Sequence, residues 1–196
     1  GICSLQPQQR RFTKSVFITY DSNGKVIGTR FTNSIICSVQ RLTYLQTDNA
    51  LKGHTKGIEL PVMSLLRDME KLARIIEQRR SEAGSIHLDL TETELIFDKA
   101  GRVIDAKPAD NSYPHTIIEM FMVAANEAVA SLLDRLNVPF IRRIHPEPDS
   151  LTMKNLVQYV RALGFNMSKT ADRFAVQDLI AAARDNDCAL GVNMLV

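Results

Sequence analysis

The chain has 196 residues, of which 45% are hydrophobic and 23% are charged, and its formal net charge is +2. This composition is enough for one sizeable hydrophobic core or a large part of one. Cys3, Cys37 and Cys188 lie far apart without CxxC spacing, which argues against a disulfide framework or a structural zinc site and favours a reducing, cytoplasmic compartment. By sequence, we predict no apolar run long enough to cross a membrane and no signal peptide, so we expect no membrane partner.

The charge is unevenly distributed along the chain. Residues 1–57 contain eight Lys or Arg but only two acids, Asp21 and Asp48, whereas the remaining residues are slightly acidic. A basic amino-terminal third fits an anionic ligand that contacts one face of the protein. A solvated basic face explains the same charge equally well.

In chain order, the first predicted element is a β-hairpin. Residues 15–39 form two β-rich runs around Asn23-Gly24, a dipeptide that favours a hairpin turn. The second run continues through residue 47, and the polar residues 48–59 are predicted to form a loop. A helix follows and stops at Gly84, with its apolar residues at helical spacing: Val62, Leu65, Leu66, Met69, Leu72, Ile75 and Ile76.

A long apolar helix is predicted over residues 115–133. Asn111 or Ser112 is its candidate cap, and Pro114 falls in its first turn. The helix is apolar on nearly every face, so we expect it to be buried in a core.

The remaining elements complete the prediction of fold class. Residues 85–109 alternate polar and apolar around a turn at 99–101, which predicts a second hairpin. Residues 140–145 read as a short strand, and two amphipathic helices follow over 150–164 and 171–187. Strands and helices mix without a regular βαβ alternation, so we predict an α+β fold.

The apolar helix carries polar residues that are costly to bury. His115 and Glu119 are four residues apart and share a face, and Asn126 lies two turns beyond Glu119 near the same stripe. This stripe fits a metal half-site, a general acid/base pair or a strip that reads a ligand. An internal hydrogen-bond network explains it equally well.

Two further pairs of residues are suited to phosphate contact. Arg41 and Tyr44, predicted at the end of a strand, can grip a phosphate and stack on a sugar or base. A half-buried tyrosine beside a solvated arginine is the commoner arrangement for such a pair. Arg143 and His145 would point to the same side of a strand at 140–145, where a phosphate contact and a solvated edge are equally ordinary.

Signatures of self-contained catalysis are missing from the sequence. There is no P-loop, no GxGxxG and no GxSxG motif. His54, His87 and His145 show no metal-ligand spacing, and the carboxylates suited to magnesium are scattered. Self-contained catalysis is therefore poorly supported, and we name no catalytic residue and no metal ligand within the chain.

Four motifs together resemble one family. ICSLQPQQRR at 2–11, RLTY at 41–44, IIEMFMVAANEAVA at 117–130 and RIHPEP at 143–148 occur in the order and spacing of the catalytic (RNB) domain of the ribonuclease II/ribonuclease R family. The resemblance covers essentially all 196 residues. It implies that residues 1–196 are a partial RNB catalytic domain without complete flanking OB-type domains.

The resemblance also implies an activity. Members of this family are processive, magnesium-dependent exoribonucleases that degrade single-stranded RNA from its 3′ end and release nucleoside monophosphates. Tyr44 and Glu119 are then expected to contact the ribose or base of the terminal nucleotides, where a ribose hydroxyl would satisfy the carboxylate of Glu119. The other expected RNA-binding residues are Arg41, Asn126, Arg143 and His145.

The chain departs from the family pattern at the places where catalysis occurs. In the family, the aspartate cluster that holds Mg2+ lies upstream of ICSL, and the catalytic arginine lies downstream of the last residue of this chain. Met120 follows Glu119 where the family has a second Glu, and Asn111 stands near the place of a family arginine. Both ends look cut, so we expect a segment of a longer protein, called here the parent protein, and we expect the segment alone to be inactive.

Two other functions remain open at this stage. The first is a degenerate family member that keeps the fold as an RNA-binding or regulatory scaffold; the residues just upstream of Gly1 would distinguish it from the enzyme. The second, reached without the resemblance, is a metal-dependent hydrolase that uses His115 and Glu119 directly. Stoichiometric zinc or manganese in the purified chain would favour the second.

Overall fold

The computed structural model describes residues 3–88, 90, 92–144, 146–168 and 172–196. Helices and antiparallel strand pairs are mixed in the chain, which confirms the predicted α+β class. The chain divides into two compact units. Unit 1 contains Gly1–Arg79 and Asn111–Ile141, and unit 2 contains Arg80–Asp110 and Arg142–Val196.

The first hairpin of unit 1 confirms the prediction, although its turn differs from the expected one. Strands β1 (Arg10–Tyr20) and β2 (Val26–Cys37) pair antiparallel. The carboxylate of Asp21 accepts hydrogen bonds from the backbone N–H groups of Asn23, at 2.9 Å, and of Lys25, at 2.8 Å. Gly24 has a φ of 72° but Asn23 does not adopt positive φ, so the turn is not the two-residue type I′ turn that Asn-Gly favours.

The structure corrects the prediction for the residues after β2. The predicted strand through residue 47 is wrong, because α1 (Tyr44–Leu51) begins there. Thr43 caps this helix: its hydroxyl accepts from the N–H of Gln46 at 3.2 Å, and the Gln46 side chain accepts from the N–H of Thr43 at 2.8 Å. This capping box begins a helix inside a stretch that reads as β by composition. The predicted loop at 48–59 is correspondingly shorter.

Two long helices form the core of unit 1 together with the hairpin and α1. Helix α2 (Leu60–Glu82) ends before Gly84, whose φ of 90° ends the helix as predicted. Helix α3 (Tyr113–Arg135) begins after Ser112, one of its two predicted caps. The buried residues shared by the two helices are Ala73, Ile76, Ile117 and Met120, with Tyr20, Leu51 and Phe121 among the side chains packed against them.

The expectation that α3 is buried on every face is wrong. Its buried residues are Pro114, Ile117, Met120 and Ala128, whereas Met122 and Val129 are exposed. At 23 residues, α3 is also long and apolar enough to cross a membrane by length and composition, contrary to the sequence-based expectation. A helix that packs one face in a protein core can have the same length and apolar composition, and α3 packs Ile117 and Met120 in the core of unit 1.

The described part of unit 2 contains the second predicted hairpin and the three helices α4 to α6. Strands β3 (Thr93–Phe97) and β4 (Val103–Pro108) pair antiparallel, as predicted. Helices α4 (Ser150–Ala162) and α5 (Arg173–Ala183) confirm the two amphipathic helices, and α6 (Ala189–Leu195) is an element that the sequence reading missed. Their shared core is Leu156, Val157, Val160, Met167, Val176, Leu179, Ala183 and Val192.

The short strand predicted at 140–145 is not observed. Residues 140–144 have no regular secondary structure, and no described strand pairs with them. Pro139 and Pro146 flank the segment and cannot donate to a strand ladder, which is a physical reason for the difference.

Candidate nucleic-acid interface

The structure brings together two residues that the sequence singled out separately. The ring of Tyr44, at the start of α1, stacks on the imidazole of His115, in the first turn of α3, with centroids 3.6 Å apart and planes at 22°. Tyr44 is still 41% exposed. An aromatic ring that is held on one side and open to solvent elsewhere is a suitable platform for a base or sugar.

The position of Tyr44 in this stack is fixed by the capped N-terminus of α1. The capping box at Thr43 orients α1, and Ala50 of that helix is fully buried. Because both elements are held by unit 1, the stack has a defined position rather than lying on a free loop.

A second set of contacts holds the beginning of α3, and the sequence analysis did not identify it. The hydroxyl of Tyr113 donates to the carboxylate of Glu77 at 2.9 Å, and the guanidinium of Arg74 lies 4.0 Å from the centre of the Tyr113 ring. Burial, together with the hydrogen bond to the Glu77 carboxylate, raises the pKa of the Tyr113 hydroxyl, so Tyr113 stays a neutral donor. In the sequence, the only sign of these contacts was the position of Tyr113 directly after the predicted cap Ser112.

Glu119 is exposed, which corrects the expectation that its carboxylate is buried in an apolar surrounding. It lies one helical turn after His115, so the two residues share a face of α3. Asn126, two turns further along, is exposed as well. Within the described part of the chain, neither Glu119 nor Asn126 has a side-chain hydrogen bond or ion pair, so both are available to a ligand.

The neighbouring acid of α3, Glu127, has a different environment. Burial raises the pKa of the Tyr20 hydroxyl on β1, and the charge of Glu127 raises it further, while Arg79 acts in the opposite direction. The charge of Glu127 therefore acts on Tyr20 of the hairpin. We call Tyr44, His115, Glu119 and Asn126 the polar stripe, and Glu127 is not part of it.

The structure does not support a metal site at the polar stripe. Among the described residues, no group of three or more His, Cys, Asp or Glu side chains could hold a metal ion. The imidazole of His115 faces the Tyr44 ring at stacking distance. In the described part of the chain, no third side chain therefore joins His115 and Glu119 to complete a metal site.

For the other predicted RNA-binding residues, the structure shows no contact with the polar stripe among the described residues. Arg41 is exposed and lies in the segment that precedes α1. Arg143 is exposed in the irregular segment of unit 2, where the strand alternation that was to align it with His145 is missing. His145 lies outside the described residues.

Comparison with known sequences decides the family. The whole chain, residues 1–196, matches the family model described as RNB domain. The chain belongs to the RNB domain family. The chain is 34% identical over 174 residues to "Ribonuclease R" of Aquifex aeolicus, an alignment that covers 86% of this chain and 24% of that relative. It thus spans about a quarter of the length of that relative.

Solved structures show the same RNB fold. The chain is similar to Mycoplasma genitalium RNase R, solved in complex with ribose methylated single-stranded RNA, with a TM-score of 0.91 and 26% identity over 99% of this chain and 31% of that one. It also shares its fold with yeast Ssd1, described as a pseudonuclease, with a TM-score of 0.71 and 20% identity over 98% of this chain and 23% of that one. These likenesses confirm the predicted family and fold.

Proposed function

We propose that the chain is the RNA-contacting part of a longer exoribonuclease that degrades single-stranded RNA from its 3′ end and releases nucleoside monophosphates. The observation that carries this proposal is the polar stripe: on an RNB fold, the Tyr44 ring of α1 stacks on His115 of α3, and His115 shares a helix face with the exposed carboxylate of Glu119. The relatives named ribonuclease R support the reaction class. Cytoplasmic location is part of the proposal, supported by three separate free cysteines.

Within this proposal, the stripe residues divide the recognition of RNA between them. The Tyr44 ring stacks on a base or sugar, and the Glu119 carboxylate accepts a hydrogen bond from a ribose 2′-hydroxyl, which DNA lacks. Asn126 adds an amide that can donate or accept, and Arg41 and Arg143 supply cations for phosphates. His145 is retained as a proposed contact on the resemblance alone.

The proposal assigns the metal chemistry to other parts of the parent protein. Bound Mg2+ would activate a water and stabilise the charge that develops at the scissile phosphate. Among the described residues, no carboxylate cluster fits such a pair of ions. We therefore propose that the metal ligands and the catalytic arginine lie in residues of the parent protein outside 1–196.

The direct test uses the parent protein with 5′-labelled single-stranded RNA and Mg2+. We expect the labelled strand to shorten from its 3′ end, and little shortening of DNA of the same sequence. The released nucleoside monophosphates carry no label and are identified by chromatography. Internal cuts, or products removed from the 5′ end, would contradict the proposal.

Replacing Tyr44 by alanine in the parent protein should reduce the preference for RNA over DNA. Without the platform, the ribose is no longer held where Glu119 can accept a hydrogen bond from its 2′-hydroxyl, a contact that only RNA makes. A hydrogen bond to a charged group contributes about 1.5–3 kcal/mol, so we expect the ratio of RNA to DNA degradation rates to fall about tenfold. Tyr44→Phe, which keeps the ring, separates stacking from hydrogen bonding by the hydroxyl. Tyr159→Ala is the matched control, because Tyr159 is an exposed tyrosine on α4 and not part of the polar stripe. An unchanged ratio in Tyr44→Ala would remove the role assigned to Tyr44.

A second candidate is an RNA-binding scaffold without hydrolysis. The likeness to yeast Ssd1, a pseudonuclease, favours it, because the same fold occurs there under that description. The assay with labelled RNA distinguishes the two, since a scaffold retards RNA on a native gel but leaves its length unchanged. Loss of the aspartate cluster from the parent sequence upstream of Gly1 would point the same way.

A further inference from the structure

A cavity of about 450 Å³ opens in unit 1 beside α1. Its walls come from residues 40–42 before the helix, from Gln46 and Asn49 of the helix, and from the loop at 54–58 after it. Tyr44, His115 and Glu119 do not line it. The size falls in the range of pockets that hold small ligands.

The cavity walls are rich in groups that attract anions. Arg41, His54 and Lys56 line it together with the amide side chain of Asn49, and no described lining residue is Asp or Glu. In the described chain, neither Arg41 nor Lys56 makes a side-chain hydrogen bond or ion pair. Nearby Lys52, by contrast, is neutralised by Asp48 at 2.6 Å and does not line the cavity. Arg41 and Lys56 therefore have no counter-ion among the described residues.

Gln40 ties the two sides of the cavity wall together. Its Nε2 donates to the carbonyl oxygen of Gly57 at 2.8 Å. A carbonyl can only accept, so this bond fixes which end of the Gln40 amide is nitrogen. Its Oε1 is then buried without a hydrogen-bond partner among the described residues. A buried acceptor left unpaired is uncommon in folded proteins. A phosphodiester oxygen has no proton to donate to it, so Gln40 acts at the cavity through its bond to Gly57 and not as a direct ligand of phosphate.

We propose that this cavity is a phosphate-binding site for a nucleotide. Arg41 and Lys56 hold the phosphate, since guanidinium and ammonium groups form charge-assisted hydrogen bonds with phosphate oxygens. Gln40 is a positioning residue, which keeps the loop that carries Lys56 next to Arg41. The phosphate belongs either to the backbone of a bound RNA strand or to a free nucleoside monophosphate. The biological source rests on the proposed exoribonuclease function, but phosphate binding itself requires no hydrolysis.

The test titrates the ¹⁵N-labelled 196-residue chain, by NMR, with inorganic phosphate, with uridine monophosphate and with an oligouridylate that lacks terminal phosphates. We expect saturable shifts of the backbone amides of Asn49, Gly57 and Ile58. Saturation by uridine monophosphate, competed by inorganic phosphate, assigns the site to a free nucleotide. Saturation by the oligouridylate alone assigns it to the RNA backbone. Shifts confined to other parts of the chain, or no saturation by any of the three, would overturn the proposal.

The variant Arg41→Gln/Lys56→Gln checks the assignment of the cations. Affinity should fall at least about tenfold, because each lost charge-assisted hydrogen bond weakens binding by roughly that factor. Arg10→Gln/Lys14→Gln is the matched control, since it removes one arginine and one lysine charge from β1, outside the cavity. Equal losses in both variants would show attraction to general surface charge and refute a site. Circular dichroism establishes that both variants are folded.

The outcome is separable from that of the proposed function. If the parent protein degrades RNA from the 3′ end but the cavity binds no phosphate, only this inference fails. If the cavity binds phosphate and the parent protein does not degrade RNA, the exoribonuclease proposal fails while the site stands.

Discussion

The 196-residue chain on its own is expected to leave 5′-labelled single-stranded RNA intact in the presence of Mg2+, whereas we expect the parent protein to shorten the same RNA. Hydrolysis of a phosphodiester by two metal ions requires carboxylates that hold the ions about 4 Å apart. The acids of α3 do not form such a group: Glu119 is exposed at the polar stripe, and Glu127 interacts with Tyr20. The described residues provide no cluster of three His, Cys, Asp or Glu side chains that could hold a metal ion.

The measurement is a time course on a denaturing gel, with the chain in excess over RNA so that even slow hydrolysis is visible. Contaminating nuclease is the main source of error, and Glu119→Gln provides the control. A contaminant would act equally in preparations of the unchanged chain and the variant, whereas hydrolysis by this chain would respond to the loss of a stripe carboxylate. Sustained shortening of the labelled RNA that depends on Glu119 would show that the segment is catalytic and would contradict the proposed division of labour.

The sequence predicted most elements of the fold because their periodicities are strong and local. The hairpin at Asn23-Gly24, the helix that stops at Gly84 and the two amphipathic helices of unit 2 follow from spacing and turn residues alone. Helix α1 was missed because its first residues continue a β-rich run and its last residues are polar, while a four-residue capping box at Thr43 begins a helix. The strand predicted at 140–145 was wrong for a different reason. A strand-like composition forms a strand only when another strand pairs with it, and none of the described strands pairs with residues 140–144.

The candidate site was less accessible to sequence reading, because it depends on packing between distant parts of the chain. Tyr44 and His115 were each noted, but their stacking comes from the contact of α1 with α3. The burial of Glu119 was predicted wrongly because average hydrophobicity describes a helix and not the exposure of each of its faces. The approach of Lys56 to the cavity that Arg41 lines required the structure, since no motif links the two positions.

Replacing Gly24 by alanine is expected to destabilise the chain strongly. Gly24 is buried at the turn of the first hairpin with a φ of 72°, and a Cβ placed there would collide with Cγ2 of Ile75 on α2. Its carbonyl oxygen also accepts a hydrogen bond from Arg79 of the same helix. Positive φ and overpacking together should lower the free energy of unfolding by roughly 2–5 kcal/mol. Since domains are stable by about 5–15 kcal/mol, a loss of this size is readily measured by urea denaturation.

Gly57→Ala is the matched control for this prediction. Gly57 has a similar φ of 80° in the same unit, but a Cβ there would meet nothing within 4 Å. Gly57→Ala should therefore lower the free energy of unfolding only by the cost of a positive φ, about 1–2 kcal/mol. In the double variant Gly24→Ala/Ile75→Ala the colliding methyl is gone, so part of the stability should return, as a coupling energy between the two sites. Equal losses for Gly24→Ala and Gly57→Ala, with no recovery in the double variant, would mean that the hairpin turn is not packed against α2.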